Sequence, residues 1–142
     1  MIHTWPRPLA GDIVWCHVPE GLTVTPADKP RPGLILEVFS DHAPQYAILV
    51  AYGTSQKVNQ LYSGEFAITV QDGSALMIAG LSYSTKFNLK RRVELPYVET
   101  YFQVPPSAPF GQIPKLGTLH PSLMPRVSAA WPAAHQCDYH SP

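Results

Sequence analysis

The amino-acid sequence predicts a mainly β protein with one short helix near its C-terminus. Only two of the 16 prolines, Pro44 and Pro96, lie between residues 33 and 104, and proline is rare inside sheets because it cannot donate to the ladder. The same stretch is rich in short β-branched and aromatic runs, which favour strands. The runs recur at the spacing of a small barrel or sandwich.

Length and composition predict a single domain. The chain has 142 residues, 45% of them hydrophobic and 14% charged, which excludes a disordered chain and a charge-rich helical bundle. Its net charge is zero, so any site for a polyanion must be a local cluster. The longest strongly apolar run, residues 46–52, is too short to span a membrane, and the first residues are unlike a signal peptide. We therefore expect a cytoplasmic protein in which Cys16 and Cys137 are free thiols.

The first half of the chain predicts three strands. Residues 11–18 alternate imperfectly and predict the first strand. Residues 19–32 are rich in proline and predict a long exposed loop. Residues 33–39 and 45–52 predict the two strands of a hairpin, joined by a turn over residues 40–44.

The middle of the chain predicts further strands of a meander. Apolar residues alternate cleanly over residues 65–70, and the Asp72-Gly73 pair marks the following turn. Residues 75–81 and 85–95 predict two more strands, the second interrupted by the charged residues 90–92.

The C-terminal helix is predicted from four apolar residues at helical spacing: Leu123, Val127, Ala130 and Trp131. We expect it over about residues 121–131 with Ser122 as N-cap, because Pro125 then lies in the tolerant first turn. The predicted domain has three parts: an N-terminal arm over residues 1–9, a β-barrel over 10–104, and a proline-rich tail over 105–142 that carries the helix.

A metal site is the weakest of the functional signals. Five side chains near the two ends of the chain could act as ligands: Cys16, His17, His135, Cys137 and His140. Their spacing matches no standard zinc pattern. We therefore expect no metal and no other cofactor.

A basic cluster offers a second signal, formed by Lys86, Lys90, Arg91 and Arg92 around Phe87. This composition is typical of a surface for single-stranded nucleic acid. It is also typical of a solvated edge strand that uses charge to block aggregation. On a strand, Lys90 and Arg92 would share one face, and Arg91 would take the other.

Three segments carry a family resemblance through their order and spacing: Gly11-Asp12-Ile13-Val14-Trp15, Lys29-Pro30-Arg31-Pro32-Gly33-Leu34 and Leu49-Val50-Ala51-Tyr52-Gly53-Thr54-Ser55-Gln56. Shorter segments add to it: Ala79-Gly80-Leu81, Thr85-Lys86-Phe87-Asn88-Leu89 and Leu95-Pro96. Over roughly residues 10–120 the chain resembles the PemK/MazF family of toxin-antitoxin toxins, in its PemK-like branch.

The resemblance implies a small SH3-like barrel of the Kid/MazF/CcdB type with a short C-terminal helix, usually a homodimer. Members of the family are metal-independent endoribonucleases that cleave single-stranded RNA and inhibit growth until a cognate antitoxin neutralises them. The arginine of the family's Arg-Pro motif and the threonine that closes its third strand fall on Arg31 and Thr54. The resemblance implies these two as the catalytic pair.

Arg31 and Thr54 suit this chemistry. Metal-free RNA cleavage uses the neighbouring 2′-hydroxyl as nucleophile, and a forked guanidinium stabilises the charge that develops on the phosphoryl oxygens. Pro30 and Pro32 stiffen the backbone around Arg31, and Thr54 can donate a hydrogen bond to a phosphate oxygen. We expect further polar or basic side chains to bind the substrate: Lys29, Ser55, Gln56, Lys57 and Lys86.

Sequence alone leaves alternatives open. Arg31 also fits an ion pair with Glu37 or Asp28, and Thr54 fits an ordinary turn residue. The group that transfers the proton is not fixed by spacing, and four residues qualify: His17, Glu20, Glu65 and Asp72. The C-terminal helix either packs on the barrel or fills a groove. Because the loop over residues 19–29 is more apolar than a phosphate-binding loop, the alternative function is a catalytically silent barrel that binds a protein or acts in regulation.

Overall fold

Six antiparallel strands form one sheet, which curls into a half-barrel. The computed structural model describes residues 5–19, 25–40 and 46–137. The strands are β1 (Asp12–Cys16), β2 (Arg31–Phe39), β3 (Ala47–Thr54), β4 (Glu65–Ile68), β5 (Thr85–Pro96) and β6 (Lys115–Thr118). Their order across the sheet is β4-β5-β3-β2-β1-β6. The prediction of a mainly β, small barrel with a short C-terminal helix is confirmed.

Short helices complete the described fold. A 3-10 helix, Val70–Asp72, leads into α1 (Ser74–Ile78), and a second 3-10 helix, Pro121–Leu123, leads into α2 (Met124–Cys137). Within the described ranges, no helix has the length and apolar character needed to cross a membrane.

Side chains alternate between two cores on opposite faces of the sheet. Ile13, Leu34 and Ala51 point into the helix-covered core, which the two helical segments close with Ala75 and Leu76 of α1, Ala79 directly after it, Leu123 of the second 3-10 helix and Ala130 of α2. The second core contains Val14, Cys16, Ile35 and Val50 from the strands and Trp5, Tyr97 and Phe102 from outside them. Trp5 of the predicted N-terminal arm is therefore part of the core. Each large aliphatic side chain buried in this way contributes about 1.5–3 kcal/mol.

The predicted meander is wrong for the second half of the sheet. β5 pairs with both β3 and β4, so β4 lies at an edge of the sheet and not beside β3. The predicted hairpin of β2 and β3 is present as an antiparallel pair. The turn residues 41–44 that join its strands lie outside the described residues.

The strand predicted over residues 75–81 is also wrong, because α1 occupies most of this segment. Ala75, Leu76 and Ala79 are buried while Met77 and Ile78 are exposed, which is helical and not alternating spacing. Gly80 follows with a φ of 71°. Its α-carbon lies against the backbone carbonyl of Leu116 in β6, where a β-carbon would clash, so a residue other than glycine would separate α1 from the sheet.

The predicted tail contributes a strand that periodicity did not reveal. β6 has four residues and begins directly after Pro114, too short a run to show alternation. It pairs with β1, placing Gly117 opposite Ile13.

The start of the C-terminal helical segment differs from the prediction by two residues. His120, not Ser122, is the N-cap, and its Nδ1 accepts a hydrogen bond from the Ser122 backbone N–H at 3.1 Å. Pro121 then takes the first helical position, where its missing N–H costs nothing. Pro125 lies in the first turn of α2, as expected, and α2 continues to Cys137, beyond the predicted end at residue 131.

Candidate functional site

Arg31 and Thr54 lie at the same end of the sheet on neighbouring strands. Arg31 is the first residue of β2, and Thr54 is the last residue of β3. The ladder pairs Gly33 with Tyr52, so two residues further along both strands Arg31 is opposite Thr54. Opposite residues in an antiparallel pair project to the same face with their β-carbons about 4.5–5.5 Å apart. The fold therefore brings the two predicted catalytic residues together.

Arg31 and Thr54 belong to a row of ladder partners that runs across four strands of the sheet. Cys16 of β1 pairs with Arg31, and Lys86 of β5 pairs with Thr54. Cys16 is fully buried, and burial raises the pKa of its thiol far above the ordinary value. The Cys16 thiol is therefore uncharged. It lies on one side of Arg31, and Thr54 lies on the other side.

The Arg31 guanidinium forms no ion pair within the described residues. Ion pairs found there include Lys86 with Glu65, Lys115 with Asp12 and Arg126 with Asp72. The alternative of a structural pair with Glu37 or Asp28 is therefore not found. Arg31 is half-buried, and its forked donors remain available for an anion.

Thr54 orders the turn that follows β3. Its Oγ1 accepts a hydrogen bond from the Gln56 backbone N–H at 3.1 Å. The hydroxyl retains its own hydrogen to donate, so Thr54 can hold the turn and bind a phosphate oxygen at once. Ser55, Gln56 and Lys57 are exposed in this turn, and Lys29 is exposed before the start of β2.

Lys86 lies in the row, but its ammonium group is engaged within the protein. Its Nζ donates to the Gln60 carbonyl at 2.8 Å and to Glu65 Oε1 at 3.0 Å, and it lies 5.1 Å from the centre of the Tyr62 ring. The same Glu65 oxygen accepts from the Tyr62 backbone N–H at 2.7 Å. Lys86 thereby ties the β3–β4 loop to the sheet.

Sequence reasoning missed Tyr52 as a member of this face. Tyr52 lies two residues before Thr54, and the Arg91 guanidinium carbon is 4.2 Å from the centre of its ring, a cation–π contact. The β3–β5 register shifts between Ala51, which pairs with Arg92, and Tyr52, which pairs with Asn88. The three β5 residues between these partners form a bulge that contains Arg91. In the sequence, this bulge is signalled by the charged residues 90–92, which were predicted to interrupt the strand.

The side chains of Arg91 and Arg92 lie on opposite faces of β5, as their strand positions predict. The Arg92 guanidinium lies 5.2 Å from the centre of the Trp131 ring of α2, away from Arg91. Residues 90–92 lie beyond the last β4 partner, Asn88, where β5 has a neighbouring strand on one side only. The edge-strand interpretation therefore fits this part of β5.

The groups considered for proton transfer all have partners where they are described. The ring nitrogens of His17 lie 2.7 Å from the Ala27 carbonyl oxygen and 2.9 Å from Gln103 Oε1. A hydrogen bond from Arg126, assisted by the Thr69 backbone N–H, lowers the pKa of Asp72 to about 2, which makes Asp72 a weak base. Glu65 is paired with Lys86, and Glu20 lies outside the described residues.

α2 packs on the barrel and does not fill a groove at this row. Leu123 and Ala130 enter the helix-covered core, whereas Arg31 shares a face with its ladder partner Cys16 in the second core. Among the described residues there is no group of three His, Cys, Asp or Glu side chains that could hold a metal ion. Asp138 and His140 lie outside them.

Comparison with known proteins supports the fold. No protein-family model matches the chain, and no curated protein matches it. One similar solved structure is described as an endoribonuclease in complex with its cognate antitoxin from mycobacterial species. The TM-score is 0.55 at 16% sequence identity, over 91% of this chain and 95% of that chain. At this identity the similarity establishes a shared small β-barrel fold.

Proposed function

We propose that this protein is a toxin of the PemK/MazF type, an endoribonuclease that cleaves single-stranded RNA without a metal ion. The observation that carries the proposal is the β2–β3 register, which puts Arg31 opposite Thr54 at one end of the sheet. The resemblance in sequence motifs and the fold shared with a mycobacterial endoribonuclease both support it.

The proposed reaction is an attack of the RNA 2′-oxygen on the adjacent phosphorus. A bond forms between these atoms while the bond from phosphorus to the 5′-oxygen breaks. The 2′-hydroxyl gives up its proton and the departing 5′-oxygen takes one up, so the products end in a 2′,3′-cyclic phosphate and a 5′-hydroxyl. Arg31 and Thr54 would stabilise the charge on the non-bridging oxygens, and neither would act as the base.

Exposed residues around the row are proposed to bind the RNA strand. Lys29, Ser55, Gln56 and Lys57 are exposed on the two sides of Arg31 and Thr54 along the chain. Lys86 is buried and paired with Glu65. We therefore propose that it supports RNA binding indirectly, by holding the β3–β4 loop in place.

The decisive experiment incubates the purified protein with a long single-stranded RNA in EDTA and maps the new 5′ ends. Arg31→Ala removes the proposed phosphate ligand, and Arg31→Lys keeps its charge but loses the forked donors. Arg7→Ala is the control, since it removes the same charge from an exposed position on the N-terminal segment.

We expect specific cuts by the wild-type protein and by Arg7→Ala, a strong loss in Arg31→Lys and no cuts by Arg31→Ala. Undiminished cleavage by a folded Arg31→Ala protein would contradict the assignment. A folded wild-type protein that cuts no RNA would instead support the silent, partner-binding barrel.

We further propose that the protein acts in the cytoplasm as a homodimer and that a cognate antitoxin neutralises it. The mycobacterial endoribonuclease of similar fold was solved with such a partner. Induction of this chain alone should arrest bacterial growth, and co-expression of the antitoxin should restore growth. Light scattering should give twice the monomer mass of 15.7 kDa.

A further inference from the structure

A cavity of about 480 Å³ opens beside the turn that Thr54 orders. Its walls come from the segment after β3 and the segment before β5, and they are formed by Ser55, Lys57, Val58, Asn59, Tyr83 and Ser84. Because Ser55 directly follows Thr54 and Ser84 directly precedes β5, the cavity lies at the same end of the sheet as Arg31. Its volume is within the range of small-ligand sites.

Tyr83 gives this cavity an exposed aromatic ring. The side chain is 71% exposed, although a ring of this size is ordinarily covered in a folded protein. Tyr83 also lines a smaller neighbouring cavity together with Trp15, Pro32 and Ser55. Trp15 and Pro32 are ladder partners on the face opposite to Arg31, since successive residues of a strand alternate between the two faces, so the ring lies at the end of the sheet, around its edge from Arg31. An exposed ring beside a cationic site can stack on a nucleobase of a single strand.

Lys57 and Asn59 supply polar groups at the same cavity. Lys57 has a φ of 52°, a left-handed conformation that residues other than glycine seldom adopt and that is often kept for a functional reason. Its ammonium and the Asn59 side-chain amide make no ion pair or hydrogen bond with another described residue. The amide has a donor and an acceptor side by side, which match the edge of a base.

We propose that this cavity binds one unpaired nucleobase of an RNA strand that runs over the end of the sheet from the phosphate held by Arg31 and Thr54. Tyr83 stacks on the base, Asn59 bonds its edge and Lys57 contacts the adjoining phosphate. The inference rests on the proposed endoribonuclease function and identifies residues that set its sequence preference.

Binding of a single-stranded oligonucleotide with 2′-deoxy sugars tests this site separately from cleavage, because such a strand lacks the nucleophile. The dissociation constant is measured by fluorescence anisotropy at several salt concentrations. We expect Tyr83→Ala to weaken binding by about 5- to 150-fold with an unchanged salt dependence. Tyr83→Phe retains the ring and should bind like the wild-type protein.

Lys57→Gly tests the phosphate contact. Glycine accepts the left-handed backbone without strain, so the folded protein should be at least as stable as the wild-type protein. Binding should weaken, and the slope of log K against log salt should become shallower by about 0.7, the value for one phosphate of a single strand. Asn59→Ala should broaden the set of cleaved sequences in the mapping experiment.

The results separate this inference from the proposed function. If Tyr83→Ala and Lys57→Gly bind like the wild-type protein while Arg31→Ala abolishes cleavage, the base site is wrong and the nuclease assignment stands. If both variants weaken binding as expected but the wild-type protein cuts no RNA in EDTA, the base site stands and the nuclease assignment is wrong. Absence of binding by the wild-type protein would overturn the base site.

Discussion

The Thr54 hydroxyl holds a turn and, in the proposed site, also donates to the substrate. As an acceptor it binds the Gln56 backbone N–H, and it still has its own hydrogen to donate. A substitution that removes the oxygen therefore affects both the turn and the transition state. The two effects differ in size, because the turn loses one exposed hydrogen bond while the transition state loses a donor to developing charge.

We expect Thr54→Val, which keeps the shape and removes the hydroxyl, to lower cleavage by about 10²-fold and stability by about 1 kcal/mol. Single-turnover cleavage and urea unfolding measure the two quantities. Thr54→Ser keeps the hydroxyl and should recover most of both. A Thr54→Val protein that cleaves at the wild-type rate would remove this residue from the proposed site.

The pair of Lys86 and Glu65 should contribute chiefly to stability. The two side chains are only 7% and 8% exposed, so Lys86→Met would leave the Glu65 carboxylate buried without its counter-ion. We expect this to cost about 3–5 kcal/mol in urea unfolding. Adding Glu65→Gln should recover part of the loss because the uncompensated charge is gone. If the double variant is as unstable as the sum of the two single variants, the side chains are not coupled.

At the scale of the elements, Arg126 joins α2 to the turn after β4. Its guanidinium donates to the two oxygens of Asp72 at 2.7 and 2.8 Å and to the Ala67 carbonyl at 2.9 Å. Asp72 in turn accepts from the Thr69 backbone N–H at 2.7 Å. One carboxylate therefore caps the 3-10 helix and anchors the C-terminal helix.

This anchor should depend on pH. Hydrogen bonding by Arg126 lowers the pKa of Asp72 from 3.8 to about 2 in the folded protein. The unfolded chain thus takes up the proton first, and the stabilisation is complete above about pH 5 and is lost as the pH falls towards 2. The stability difference between the wild-type protein and Asp72→Asn, measured by urea unfolding, should shrink over this interval. Asp28→Asn, in an exposed segment, is the control, and a difference that stays constant would contradict the linkage.

The long strands could be predicted because they depend on local pattern, whereas the site pair was implied by the resemblance of the motifs around Arg31 and Thr54. β2 and β3, of nine and eight residues, contain short apolar runs bounded by a turn signal, whereas the register that puts Arg31 opposite Thr54 includes a shift between Ile35 and Glu37 that the sequence does not specify. α1 could not be predicted, since its five apolar and small residues match a short strand as well as a helix. Its conformation depends on the contact of Gly80 with β6, which is distant in sequence. The charged residues 90–92 mark the interruption of β5, but the bulge that accompanies the Tyr52–Arg91 contact depends on the pairing of β5 with β3.

At the scale of the whole molecule, the proposed site and the C-terminal helix lie on opposite faces of the sheet. α2 covers the core that contains Leu34 and Ala51, while the ladder partners of Arg31 and Thr54 belong to the other face. A partner could therefore cover the site without displacing α2. The chain as a whole is neutral, so attraction of RNA depends on this one face and not on a general positive field.

Because the chain has no net charge, the salt dependence of RNA binding should reflect only the basic residues near the site. Four cations are available around the site, Arg31, Arg91, Lys57 and Lys29, and each phosphate contact on a single strand contributes about −0.7 to the slope of log K against log salt. We therefore expect a slope between about −2 and −3 for the 2′-deoxy oligonucleotide, measured by anisotropy over a range of salt concentrations. A slope twice as steep would mean that basic residues of a second copy contact the same strand. A slope near zero would exclude phosphate contacts, and with them the role proposed for Arg31.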